Sequence, residues 1–309
     1  MSKLQDEYIL RCLSKIRHKK WEYFVVSRII HKLDDFDIEF VTQQLVRRPD
    51  GSRALTDLFF PQFNIHLEID ESHHFKKSVD LDDAIRQQDI IDQTGHEVVR
   101  ISVWDAKAGS ELPLSTIAYE TDNFVQRLQK KRQAQEAQGV FSPWDYERRF
   151  DPERIIEKGF ISVSDNVLFR RQIDAMKCFG FTGTVWRRGA WRIPDERGYS
   201  LWFPRLFEHD VWSNELCEGG RVINERARSE PNLRVKARAS LSKQRRDLEK
   251  NPDANIIVFS KAKDPLGKQL LRYVGTFKAN LGVEHFSPDN LRFELVRDTQ
   301  QLWQPVADT

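Results

Sequence analysis

Cysteine is scarce in this 309-residue chain: Cys12, Cys178 and Cys217 lie far apart and form no paired zinc-like motif. That argues against structural disulfides and structural zinc. No long uncharged apolar run occurs, so no segment reads as a transmembrane helix and no membrane partner is expected. The N-terminal residues Met1-Ser2-Lys3-Leu4-Gln5-Asp6-Glu7 lack the apolar stretch of a signal peptide, and the expected location is cytoplasmic. Internal repeats are absent. The one biased segment is the Gln/Lys/Arg-rich run 129–139.

Apolar residues make up 39% of the chain, with 20 Phe, 8 Trp and 6 Tyr, enough at this length for two cores. The net charge of +2 conceals an asymmetry. Residues 1–139 carry 20 Lys/Arg against 23 Asp/Glu, and the remainder carries 29 against 24. An acidic site in one half and a phosphate-contacting surface in the other would give such a split.

Helical spacing runs from about Gln5 to Leu33, with Trp21, Phe24, Val25, Ile29 and Leu33 as its apolar stripe. A strand over Glu39–Arg47 is closed by the turn residues Arg48-Pro49-Asp50-Gly51. Residues 55–70 read as a β-hairpin turning at Pro61 and Asn64. If Phe60 pairs with Ile65, Asp57 falls opposite Glu68, and alternation puts Asp70 on the same face as Glu68. Facing carboxylates repel, so the arrangement makes sense with a cation between them, and oxygen donors suit Mg²⁺. A solvated strand face can also carry such residues. His66 reads as a surface or packing residue, His73 is undecided, and Glu71 points away from the acids. A helix near Leu81 to Thr94 and a strand over Glu97–Val103 follow, the last crossover being parallel and right-handed. Of Gln43 and Gln44, which alternate on the first strand, Gln44 is preferred for the cleft.

The order α-β-β-β-α-β, with an Asp on one strand and Glu-x-Asp on the next, resembles the PD-(D/E)XK nuclease core. The run Glu68-Ile69-Asp70-Glu71-Ser72-His73-His74 is similar to its Vsr-type branch. The resemblance implies Asp57 and Glu68 as metal ligands, Asp70 as a further acid, His74 as a general acid/base, and Glu22 on the first helix as an extra acid. No Lys follows Glu68 at the usual position. Water activation then falls to His74 and the metal.

Thr116–Gln138 reads as a long polar helix acting as a connector, and Phe141-Ser142-Pro143-Trp144-Asp145-Tyr146 restarts a packed region. Beyond residue 150 come short strands over 190–193, 201–206, 211–215, 255–259, 271–277 and 291–296, with a helix over Lys236–Lys250. They predict a curved sheet or barrel with attached helices. The stretch Ile256-Ile257-Val258-Phe259, with Leu266 to Phe277, resembles the closing strands of an SRA-type domain. With a Vsr-like nuclease in front of it, the whole chain is similar to the AbaSI family of restriction endonucleases, which cut DNA containing 5-hydroxymethylcytosine or its glucosylated form.

This resemblance implies an α/β nuclease domain over 1–115, a helical linker over 116–139 and an α+β, SRA-like domain over 140–309. A pocket for a flipped base needs an aromatic face and polar groups for the base edge. Trp212, Asn214 and Glu225 are the candidates, although Trp212 taken alone is as readily a core tryptophan. Arg226, Arg228, Arg234, Lys236 and Arg238 suit backbone phosphates or a solvated basic face. The expected protein is a Mg²⁺-dependent, homodimeric endonuclease acting on double-stranded DNA with modified cytosine. The alternatives are a non-catalytic reader of modified DNA and a Vsr-like repair nicking enzyme.

Overall fold

The computed structural model describes residues 3–16, 19–48, 50, 52–70, 90–93, 95–194, 198–264, 266–282, 285 and 287–303. Two compact units emerge. One is formed by most of the chain up to Arg149, the other by Phe150 onward with two short stretches of the N-terminal half.

In the first unit the expected single helix is two, α1 (Lys3–Ile16) and α2 (Lys20–Leu33). Lys19 breaks them, being extended at φ −105°, ψ 99°. α2 buries Glu22, Val25, Val26 and Ile29 and ends where Asp34 turns left-handed and donates its N–H to the Ile30 carbonyl. Strands β1 (Val41–Arg47), β2 (Arg53–Phe60), β3 (Ile65–Asp70), β4 (Ile90–Asp92) and β5 (Glu97–Ser102) form one sheet in the order β4-β1-β2-β3-β5. β2 and β3 are antiparallel with Phe60 opposite Ile65, and β3 and β5 are parallel with Glu68 opposite Arg100. Residues 81–89 of the expected helix lie outside the described residues. Its expected end, Ile90–Asp92, is a strand, in keeping with two adjacent β-branched isoleucines.

Two short strands, β6 (Trp104–Asp105) and β7 (Ser110–Glu111), precede α3 (Leu114–Ala137). The stretch expected as a connector is built into this unit. α3 buries Ile117, Thr121, Phe124, Val125 and Leu128, Phe124 meets Phe60 at 5.9 Å between ring centres, and Arg28 of α2 grips Asp122 through two bonds of 2.8 and 2.9 Å. Its polar composition belongs to the outward face. Trp144 also packs here, 5.4 Å from the ring of Tyr8, whose hydroxyl donates to the Phe40 carbonyl at 2.9 Å.

The second unit contains α4 (Pro152–Lys158), β8 (Phe160–Ser162), β9 (Leu168–Phe169), α5 (Gln172–Lys177), β10 (Ala190–Arg192), β11 (Tyr199–Trp202), β12 (Glu208–His209), β13 (Trp212–Ser213), β14 (Glu215–Cys217) and β15 (Val222–Arg226). After these come α6 (Pro231–Glu249), β16 (Asn255–Lys263), β17 (Gln269–Asn280), β18 (Asn290–Arg297) and β19 (Thr299–Gln301). The main sheet runs β10-β11-β16-β17-β18-β15-β14, with β9 on β17. It is mixed, because β11 and β16 are parallel while the other pairs are antiparallel.

Both faces of this sheet are covered. Ile257 and Phe259 of β16 join one core with Phe169, Phe179, Leu201 and Tyr273. Ile256 and Val258 join the other with Leu216, Ile223, Leu241, Phe277 and Phe293. That explains the unbroken apolar run of β16. At Gly275 the strand bends at φ +125°, and a Cβ would meet the Leu295 side chain at 2.3 Å. Only glycine fits there.

Candidate active site and base-reading site

Asp57 precedes the stretch of β2 that pairs with β3, and the tight Pro61–Asn64 turn fixes the partner strand. Thr56 and Phe59 both reach His66, so strict alternation does not hold over this stretch. The Asp57 carboxylate is buried, and its Oδ2 accepts from the backbone N–H of Ile69 at 2.6 Å. This bond ties the acid to β3 between Glu68 and Asp70. Glu68 is buried too and meets the Arg100 guanidinium across β5 at 3.1 Å.

The amide that reaches these acids is that of Gln43, not Gln44. Gln43 has φ +54°, a left-handed conformation that breaks the strand alternation and turns its side chain toward α2. Its Nε2 donates to Glu22 Oε1 at 2.6 Å and to Asp57 Oδ1 at 3.4 Å, while its Oε1 accepts from Lys19 Nζ at 3.0 Å. Gln44, buried, spends its Nε2 on the Leu45 carbonyl at 2.9 Å. Lys19 also pairs with Glu22 at 2.9 Å. The structure therefore gathers Lys19, Glu22, Gln43 and Asp57, with Glu68 and Asp70 on the adjoining strand. His74 lies outside the described residues, as do Glu71 and His73.

Burial, and after it the charge of Asp57, pushes Glu22 up to about 7 against the pull of Lys19. His66, expected as a surface or packing residue, is a packing one. It is fully buried and stacks on Phe59 at 4.2 Å, with Nδ1 against the Thr56 hydroxyl at 3.1 Å and Nε2 against His96 Nδ1 at 2.9 Å. Desolvation, helped by His96, brings it down to about 3, so the ring is neutral.

In the second unit Trp212 is half-buried, bridges to Ala227 and packs against the core of Leu206, Ile223 and Leu291. Asn214 is buried, and its Oδ1 accepts the backbone N–H of Arg226 at 3.2 Å, which holds β15 in place. Glu225 shares the face of Ile223 by alternation along β15. Burial pushes its carboxyl up to about 7, partly offset by a hydrogen bond from Gln244. Among the described residues its Oε2 has no hydrogen-bond partner. A buried acceptor left unsatisfied is costly in a native fold and marks a place where a donor is expected.

Residues 6–129 match the family model described as restriction endonuclease PvuRts1 I-like, N-terminal, and residues 154–302 match the SET and RING associated domain. The solved structure titled "The 5-Hydroxymethylcytosine-Specific Restriction Enzyme AbaSI" superposes with a TM-score of 0.81 at 30% sequence identity, over 99% of this chain and 100% of that one. The chain belongs to the PvuRts1 I-like and AbaSI-like family of restriction endonucleases. No curated protein matches it.

As a member of this family the chain is a DNA endonuclease, and the family chemistry implies a divalent metal ion. The donors present fit one. Two buried carboxylates, Glu22 and Asp57, oppose each other around a single amide, and a hard cation would relieve their repulsion. Among the described residues no group of three or more His, Cys, Asp or Glu is placed to hold a metal ion.

The basic residues chosen for DNA divide into two groups. Arg228 pairs with Glu230 at 2.6 Å and Glu208 at 2.8 Å, Arg238 with Asp289 at 2.7 Å, and Arg226 approaches Glu215 at 4.0 Å. These charges are largely neutralised inside the protein. Arg234 and Lys236 carry no ion pair among the described residues. Sequence reasoning missed Lys19 and the role of Gln43. An abnormal φ leaves no trace in residue type. Among the described residues no helix is long and apolar enough to cross a membrane.

Proposed function

We propose that this protein is a modification-directed restriction endonuclease that recognises 5-hydroxymethylcytosine, and its glucosylated form, in double-stranded DNA and cuts at a fixed distance from it. The observation that carries this reading is the likeness to the AbaSI structure over the full length of both chains, with the two family models in the same order. The second unit takes the base out of the stack. Trp212 supplies the aromatic face, Asn214 fixes the strand beneath it, and the unpartnered Glu225 Oε2 accepts from the cytosine N4 amine. Arg234 and Lys236 contact phosphates, with Arg226, Arg228 and Arg238 contributing where DNA displaces their acidic partners.

In the first unit Asp57 and Glu68 would hold Mg²⁺, which lowers the pKa of a bound water and polarises the scissile phosphate when present. Asp57 keeps its aim through the Ile69 N–H. Glu22 and Gln43 orient the reacting water from the α2 side, Asp70 completes the acidic wall, and His74 protonates the leaving oxygen or takes the proton of the water. Duplexes identical except for the cytosine modification, digested with and without Mg²⁺, test the reading. Cleavage confined to modified duplex and to Mg²⁺ supports it. Metal-independent binding without cutting would make the protein a reader, and nicking of unmodified mismatched DNA would make it a repair enzyme.

One acid cluster breaks one strand, so double-strand breaks call for two copies, and a homodimer is the simplest arrangement. Excess Asp57→Ala protein mixed with wild type should turn double-strand breaks into nicks. Double-strand breaks that merely fall with the wild-type fraction, from a protein that sediments on DNA as a monomer, would remove the dimer.

A further inference from the structure

β12 and β13 form a minimal hairpin in which His209 lies directly across from Trp212. The loop entering that hairpin carries Arg205, and the backbone N–H of Lys261 on β16 donates to the neighbouring Pro204 carbonyl at 2.7 Å. Two cationic side chains, Arg205 and Lys261, from two separate parts of the chain thereby act on the imidazole of His209, which lies across from Trp212. The His209 Nδ1–H donates to the Phe207 carbonyl at 2.8 Å, which leaves Nε2 free to take a proton and bind an oxygen anion.

None of the three has an ion pair among the described residues. The nearest acid in sequence, Glu208, is committed to Arg228 at 2.8 Å. Asp210, exposed in the turn, is the acid that acts on His209 among the described residues. Lys261 is half-buried, and burial and then Arg205 bring its pKa down. Burial also lowers His209, with Arg205 and Lys261 adding to it. Gathering like charges while partly desolvating them is unfavourable unless an anion joins them. Arg228 and Arg238 contrast with this, since their acids are already in place.

We propose that Arg205, His209 and Lys261 form a binding site for a phosphodiester of the DNA backbone, next to the base held at Trp212. A nucleotide presents an aromatic ring and a phosphate a few ångströms apart, and this hairpin offers a partner for each. The inference rests on reading the second unit as the DNA reader.

The test uses the full-length protein without divalent ions, and measures affinity for hydroxymethylated and unmodified duplexes across a NaCl series. Arg205→Ala, at an exposed position, and Lys261→Gln should each weaken binding to both duplexes alike, on the order of 3–10-fold near 0.1 M salt. Each should also reduce the slope of log affinity against log salt by about 1. Unchanged affinity and slope for Arg205→Ala overturns the site, and so does a loss confined to the modified duplex, which would mean the cluster reads the base. Inorganic phosphate should compete only in step with the ionic strength it adds. Stronger competition reassigns the cluster to free phosphate and overturns the DNA assignment. If the wild type binds neither duplex, the reader assignment itself falls; if it binds and only the slopes fail to move, the phosphate site alone is lost.

Discussion

Both units hold a buried glutamate raised to about 7, Glu22 in the first and Glu225 in the second, and the causes differ. Glu22 is raised by burial together with a second carboxylate, and Lys19 and Gln43 already hydrogen-bond to it. Burial raises Glu225, and among the described residues its Oε2 has no hydrogen-bond partner. An acid crowded by another acid calls for a cation, whereas an isolated acid with an open lone pair calls for a hydrogen-bond donor. On the function proposed above, equal shifts serve different chemistry: metal-assisted hydrolysis in one unit, recognition of an amine in the other.

The largest effect should come from breaking the first half of this comparison. Asp57→Ala or Glu68→Ala should eliminate cleavage while binding of modified duplex stays within a few-fold, as read by gel cleavage and fluorescence anisotropy. Cutting that survives either substitution would take the hairpin out of the mechanism. Within the same site, Gln43→Ala should slow cutting on the order of 10²-fold, as expected for a group that orients the reacting partners, and Gln44→Ala far less. Equal rates for the two variants would show that the left-handed turn at Gln43 has no catalytic consequence.

The second half of the comparison is tested by discrimination. Glu225→Gln keeps shape but replaces an acceptor with a donor toward the N4 amine, and should cost about 1–3 kcal/mol of preference for the modified duplex. Trp212→Ala should cost a similar amount through lost stacking. Cleavage of both variants at saturating DNA should persist. A preference that survives in both would move the pocket elsewhere.

The smallest effect separates the units by pH. His66 has a folded pKa near 3, below its unfolded value, so the unfolded chain binds the extra proton and stability is lost as pH falls below about 6.5. Glu225 is the reverse: its folded pKa lies above the unfolded one, its contribution is present below about 4.5 and is lost as pH rises toward 7, by about 3 kcal/mol. Glu22 acts in the same sense as Glu225, so the variants are needed to separate the terms. His66→Phe should flatten the acid limb of a denaturant-midpoint profile, and Glu225→Gln the neutral limb. Unchanged profiles would mean that neither group is buried in the charge state described.

The hairpin turn was readable in advance because a short turn leaves little choice once Phe60 and Ile65 are paired, but the paired ladder ends at Leu58 with Leu67, and Asp57, expected opposite Glu68, accepts the Ile69 N–H. The apolar strands of the second sheet were readable too, since a strand buried on both faces writes an unbroken Ile256–Phe259 run. α3 was harder. Five buried positions in a 24-residue helix leave mostly polar letters, and these suggested a connector.

The amino-acid sequence by itself determined the two-unit order, the strand periods and the placement of Asp57, Glu68 and Asp70 on one hairpin, because those follow from local stereochemistry and burial pattern. Only the tertiary structure decided that Gln43 rather than Gln44 meets the acids, because a positive φ reverses the expected face. It also decided which arginines are already neutralised. Arg238 and Asp289 lie 51 residues apart, and Lys261 reaches the Arg205–His209 loop through a backbone bond to Pro204. Charge pairing depends on distance in space, and residue type and spacing along the chain do not record it.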